Sequence, residues 1–116
     1  MAVTIYGIKN CDTMKKARSW LDEHDVAYDF HDYKAVGIDR AHLEKWTAEA
    51  GWETVLNRAG TTFRKLPEEA RQDLDKNKAI ALMIEQPSMI KRPVVEADGK
   101  LLIGFKPDSY ADFFES

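Results

Sequence analysis

The chain has 116 residues, 44% of them hydrophobic and 32% charged, with a formal net charge of -3. That is enough apolar sequence for one domain with its own core, too little positive charge for a general nucleic-acid surface, and no apolar run of membrane-spanning length. The single cysteine, Cys11, excludes an internal disulfide, and no basic segment leads into an apolar one at the N-terminus, so a cytoplasmic monomer is expected.

The first apolar run, Ala2-Val3-Thr4-Ile5-Tyr6, reads as a strand. A helix follows from Asp12 to Glu23, with Met14, Ala17 and Leu21 on one face and Arg18 spaced to pair with Asp22 across one turn. Val26 to Tyr33 alternates Tyr28 and Phe30 with Asp29 and His31, the period of a half-buried strand. Strand, helix, strand within about thirty residues is a right-handed βαβ unit. From Asp39 the pattern becomes helical in short pieces. Asp39 caps a helix carrying Leu43 and Trp46 that ends at Gly51, and Trp52 to Leu56 makes a brief turn. Asn57 to Lys65 reads as a loop, Pro67-Glu68-Glu69 as a helix start, and a further helix runs from about Lys78 until Pro87 stops it. Two strands, Val94 to Ala97 and Lys100 to Gly104, flank Asp98-Gly99, a dipeptide suited to a tight hairpin turn with both central φ angles positive. Pro107 then opens a terminal helix bearing Tyr110, Phe113 and Phe114.

The order βαβ, helical insert, ββα predicts an α/β protein with a thioredoxin-like fold and a mixed sheet. Its core lies at about 1–35 and 88–116, and its helical insert at about 36–87. Cys11 then stands where a strand passes into a helix. The first N–H groups of a helix lack internal partners and carry the positive end of its dipole, which favours a thiolate. Lys9, Lys15 and Lys16 add positive charge, while Asp12 opposes it. A lone cysteine is most often a small buried hydrophobe; its position argues for reactivity.

Cys11-Asp12-Thr13-Met14 places Met14 where a second thiol would resolve a mixed disulfide, so release must come from an external thiol, with glutathione the obvious candidate. In thioredoxin-like folds a cis-proline heads the third strand beside the cysteine, and Pro93 is placed to be that residue, with Arg92 aimed at the same pocket; the other reading is an ordinary trans proline that starts a strand, with Arg92 solvated. The segments 1–11, 54–67, 86–95 and 99–107 contain no Asp or Glu and would make an anion pocket if they meet. Within them, the run Asn57 to Lys65, with Arg58, Arg64 and two threonines, reads either as an oxyanion or carboxylate site or as a solvated turn. His24, His31 and His42 show no metal-ligand spacing, so no metal is expected, and Trp20, Trp46 and Trp52 read as packing residues.

Three blocks, Tyr6 to Ala17, Leu56 to Leu66 and Ile90-Lys91-Arg92-Pro93, resemble the arsenate reductase (ArsC)/Spx superfamily, and within it the YffB-like branch. The resemblance runs in order over nearly the whole chain and implies a single ArsC-like domain over 1–116. In the glutaredoxin-linked arsenate reductases of the superfamily, a cysteine matching Cys11 attacks arsenate, arginines hold the oxyanion and glutathione reduces the adduct. Cys11 and Arg92 match. Gly7 stands where the family reductase has a histidine, Asn57 near where it has an arginine, with Arg58 next along, and Lys106 where it has a second C-terminal arginine. The expected activity is therefore that of a glutathione-dependent thiol oxidoreductase, arsenate reductase-like but without arsenate reduction assigned. Cys11 is the nucleophile; Arg92, Arg58, Lys9 and Lys106 bind the anionic part of a thiol or oxyanion substrate; Asn10, Lys91 and Pro93 bind glutathione. Glutathione is a co-substrate, and no bound cofactor, nucleic acid or membrane partner is expected. The alternative is an Spx-like regulator that binds RNA polymerase.

Overall fold

The computed structural model describes residues 2–9 and 11–115. In chain order the elements are β1 (Val3–Gly7), α1 (Asp12–Glu23), β2 (Asp29–Asp32), α2 (Tyr33–Val36), α3 (Arg40–Ala50), α4 (Trp52–Val55), α5 (Thr61–Arg64), α6 (Glu68–Arg71) and α7 (Lys76–Glu85), a 3₁₀ turn (Pro87–Met89), then β3 (Val94–Ala97), β4 (Lys100–Ile103) and α8 (Pro107–Glu115). They form two compact units, one from the residues up to Val36 together with those from Arg92 onward, the other from Gly37–Lys91.

In the first unit the four strands lie in the order β2-β1-β3-β4. β1 runs parallel to β2 and antiparallel to β3, and β3 is antiparallel to β4, so the sheet is mixed. Strand alternation sends Val3 and Ile5 to one face, where Ala97 and Val95 stand opposite them in β3. There they join Met14, Ala17, Trp20 and Leu21 from α1 and Tyr110 from α8 in one buried cluster. Each buried aliphatic side chain of this kind stabilises the fold by roughly 1.5–3 kcal/mol. The Asp98-Gly99 turn has φ of 51° and 77°, which closes the hairpin as its sequence predicts.

The same registers align the ends of the strands. Because β1 and β2 are parallel and β3 and β4 alternate in direction, one edge of the sheet collects the C-terminal ends of β1, β2 and β4 and the N-terminal end of β3. Residues 8, 9, 11, 33, 92–93 and 104–106 lie next to the strands at that edge.

Three local expectations are corrected. The second strand is Asp29–Asp32, shorter than the predicted Val26 to Tyr33, because the Asp32 carboxylate accepts from the N–H groups of Lys34 (3.0 Å) and Ala35 (3.2 Å) and starts a helical turn at Tyr33. Arg18, spaced for Asp22, instead donates from Nε to the Tyr28 hydroxyl at 3.1 Å and lies 4.7 Å over the Phe30 ring. A cation over an aromatic face gains more than an exposed i,i+4 pair. The predicted loop Asn57 to Lys65 contains the short helix α5, entered from Gly60.

In the second unit α3 packs on α4 and α7. Asp39 caps α3 by accepting from the His42 N–H at 2.9 Å, and Gly51 ends it with φ of 87°, a conformation costly for any residue with a Cβ. Helix α7 begins two residues before the predicted Lys78, because Asp75 caps it. Leu56 and Ile90 form an isolated antiparallel bridge that ties the strand-like segments on either side of α5–α7 together.

Candidate functional site

Cys11 is the N-cap of α1, with extended φ and ψ of -129° and 130°, and its carbonyl accepts the first bond of the helix from the Lys15 N–H at 3.0 Å. The residue is partly exposed. From 81 positions away in sequence, Arg92 directs its Nε to the Cys11 Sγ at 3.4 Å. The Arg92–Pro93 peptide bond is cis, as the sequence predicts, and Pro93 is buried with its carbonyl accepting from the Gly104 N–H at 2.8 Å.

The sulfur forms no regular side-chain cap bond, yet the N–H groups of Thr13 and Met14 face it. Partial burial pushes the Cys11 thiol pKa up, but the Met14 N–H, the Arg92 guanidinium and the Thr13 N–H pull it down by more, so the net direction is downward. Burial disfavours the charge of the Arg92 guanidinium, but the neighbouring Cys11 sulfur and Tyr33 phenol favour it by more, so its pKa is held above the usual value. Tyr33, fully buried at the start of α2, has its phenol pKa raised above the usual range by burial, against the pull of Arg92.

The remaining expected site residues fall in different places. Lys9 is exposed and, with Ile8, Asp32, Lys34 and Ala35, lines a cavity of about 360 Å³ at the C-terminal ends of the parallel pair β1 and β2. Ligands of α/β sheets commonly bind beyond the C-terminal ends of such strands. Lys106 is exposed at the same edge of the sheet and its carbonyl starts α8 by accepting from the Tyr110 N–H at 3.1 Å. Arg58 belongs to the second unit, where it lies 5.5 Å over the Trp52 ring. Lys91, exposed at the end of that unit, donates its N–H to the Val55 carbonyl at 2.8 Å. In the same unit Thr61, Thr62 and Lys65 line a cavity of about 450 Å³ with Leu66, Pro67 and Gln86. Asn10 lies outside the described residues. Of the four acid-free segments, 1–11, the part of 86–95 that follows Lys91, and 99–107 supply adjacent strands of one sheet.

Met14, the residue in the resolving position, is fully buried, and a Cβ at Gly7 would overlap its Sδ and come within 2.5 Å of its Cε. Gly7 and Met14 thus fill one volume between them. Tyr33 is the site residue that sequence reading missed; the Asx-type cap at Asp32 was the available signal, hidden by the strand-like alternation before it. No group of three or more His, Cys, Asp or Glu that could hold a metal stands together among the described residues. Nor is any described helix long and apolar enough to cross a membrane.

A mixed sheet of this order, with a thiol at the start of the helix after β1, a proline heading β3 and a helical subdomain inserted as α3–α7, defines a thioredoxin-like protein built around one cysteine. The chain belongs to the ArsC family, whose model matches residues 6–113, and within the ArsC/Spx superfamily to the YffB-like branch. It superposes on a structure described as "YFFB (PA3664) protein" with a TM-score of 0.94 and 72% identity, over 96% of this chain and 97% of the other. An arsenate reductase (ArsC) related protein from Brucella melitensis is 59% identical with a TM-score of 0.79, over 100% and 97% of the two chains. The global transcriptional regulator Spx of Streptococcus mutans is 29% identical over 96% of this chain and 82% of its own length. The family resemblance read from the three sequence blocks is borne out, and with it homology to ArsC-type reductases.

Proposed function

We propose that the chain is a glutathione-dependent thiol oxidoreductase with Cys11 as its nucleophile. The observation that carries this reading is the 3.4 Å approach of Arg92 Nε to Cys11 Sγ at a helix N-terminus, which favours the thiolate. The thiolate attacks one sulfur of a glutathione mixed disulfide. A Cys11–glutathione disulfide forms, the original S–S bond breaks, and the substrate sulfur leaves with the electron pair and takes up a proton. A second glutathione thiolate then attacks the glutathione sulfur, yielding oxidised glutathione and restoring the Cys11 thiolate. Met14 leaves no internal thiol to perform this second step.

Arg92 holds the negative sulfur before attack and after release. Lys9 and Lys106, at the same edge of the sheet, supply charge for the carboxylates of glutathione, and Pro93 supplies backbone beside the thiol. Asn10, Arg58 and Lys91 complete the proposed set. Titration of the ¹⁵N-labelled chain with glutathione tests it: amide shifts centred on Cys11, Lys9, Arg92, Val94 and Lys106 are expected, with responses at Arg58 and Lys91 reading whether the second unit takes part. An absence of shifts around Cys11 would remove glutathione from the account. The relation to Spx supports a second reading, a regulator that binds RNA polymerase. Capture of polymerase subunits that survives Cys11→Ser would favour it.

A further inference from the structure

The strand order makes β2 and β4 the two edges of the sheet. In antiparallel pairing, residues whose N–H and C=O both face the neighbouring strand alternate with residues whose groups both face away. The Gly104 N–H donates to the Pro93 carbonyl at 2.8 Å, so the bonded pairs between β3 and β4 are Pro93–Gly104, Val95–Leu102 and Ala97–Lys100. Leu101 and Ile103 therefore turn their main-chain groups outward. Among the described residues no hydrogen bond reaches them on that side. The edge presents these donors and acceptors on a strand whose Leu101, Leu102 and Ile103 side chains are all only half-buried.

We propose that β4 is a docking edge for a second copy of the chain, whose own β4 adds antiparallel to it about a two-fold axis through Leu102. The strand is self-complementary, as a two-fold interface requires. With Leu102 opposite Leu102 of the second copy, Leu101 faces Ile103 and Ile103 faces Leu101. All the outward groups of both strands then pair, in four main-chain hydrogen bonds. A shift of two residues either way would set Leu101 or Ile103 against itself and leave groups unpaired at the ends. Lys100, the charged residue of the strand, falls opposite Gly104 and not opposite another lysine. Beyond the strand ends the same register sets exposed Lys106 of each copy level with exposed Asp98 of the other, opposite charges on both sides of the axis. The β2 edge lacks this fit. It carries Asp29 and Asp32 at its ends, and antiparallel pairing of its full length with itself would oppose them, like charge against like. A contact built on one four-residue strand is small beside the roughly 1,200–2,000 Å² of a stable interface. Association at high chain concentration is therefore expected, with dissociation on dilution to the monomer read from the sequence.

The test is sedimentation of the full chain from about 10 μM to about 1 mM, the range of a weak contact, under reducing conditions that remove any Cys11–Cys11 disulfide. A monomer–dimer equilibrium is expected. Amide hydrogen exchange followed by NMR over the same range reads the edge: the Leu101 and Ile103 N–H groups should exchange more slowly in the concentrated chain. Ile103→Pro removes one outward N–H from each copy, and so two of the four bonds, without touching a bond between β3 and β4. It should weaken the dimer about tenfold or more. A chain that stays monomeric at about 1 mM overturns the inference, including where the edge takes the strand of a different protein instead. A dimer in which the Leu101 and Ile103 amides exchange as fast as in the dilute chain overturns it too, as does one that Ile103→Pro leaves unweakened. If Ile103→Pro does not fold, the concentration dependence of those two amides in the unaltered chain decides.

Discussion

Removing Arg92 from beside the thiol should raise the apparent pKa of Cys11 and slow its reaction with alkylating reagents at low pH. At the 3.4 Å separation of Nε and Sγ, a pair of unit charges interacts by about 5 kcal/mol at an effective dielectric of about 20 and about 1 kcal/mol in water. Both side chains are partly exposed, which places the pair toward the solvated end of that range. About 1.4 kcal/mol corresponds to one pKa unit. Arg92→Ala should therefore cut the alkylation rate at pH 6 by about tenfold, and Arg92→Lys by less, since lysine keeps the charge without the directed N–H. The shift should stop short of abolishing the depression, because the Thr13 and Met14 N–H groups remain. The sign for stability follows from the lowered pKa. Between the folded pKa and the roughly 8.5 of an unfolded thiol the unfolded chain binds more protons, so stability rises with pH across that window and is lost as pH falls through the folded value. Chemical denaturation should show this rise in the unaltered chain, a smaller one in Arg92→Ala and none in Cys11→Ser. Superimposable alkylation profiles for the unaltered chain and Arg92→Ala would refute the electrostatic account.

Gly7→Ala should destabilise the chain by about 1–3 kcal/mol, because the new methyl group meets the buried Met14 thioether. Thermal melts of Gly7→Ala, Met14→Ala and the double variant should give a double loss smaller than the sum of the singles, and strict additivity would show that the two residues do not share a volume. Asp39→Ala should cost about 1 kcal/mol by leaving the His42 N–H without its cap, read as a lower denaturation midpoint with an unchanged m-value.

The parts of the fold legible in the sequence are those fixed by local chemistry. Helix α1 spans the predicted Asp12–Glu23 because its apolar stripe and its start at Cys11 agree. The β3–β4 hairpin follows from a dipeptide that accepts two positive φ angles. Where two local signals compete, sequence reading chose the longer one: alternation from Val26 to Tyr33 hid the cap at Asp32, and polar residues around Gly60 hid the one-turn helix Thr61–Arg64. Cys11 and Arg92 were legible as candidates because each stands at an element boundary. Tyr33 was not, since its burial and its nearness to Arg92 exist only once the strands are paired.

That pairing joins the core to the chemistry. Ile5 lies opposite Val95 and Val3 opposite Ala97, a register fixed by burying all four side chains on one face. Slipping β3 by one residue would turn Val95 and Ala97 away from the core and bring Val94 and the Glu96 carboxylate into it. The slip would also carry Arg92, two residues before β3 begins, about 3.4 Å along the sheet. That displacement is as large as the contact it makes with Cys11. The apolar alternation of β1 and β3 therefore specifies the position of the guanidinium as strictly as it specifies the core. Stability and thiol reactivity should accordingly fall together in any variant that loosens this register, whereas Arg92→Ala, which leaves the register intact, should separate them.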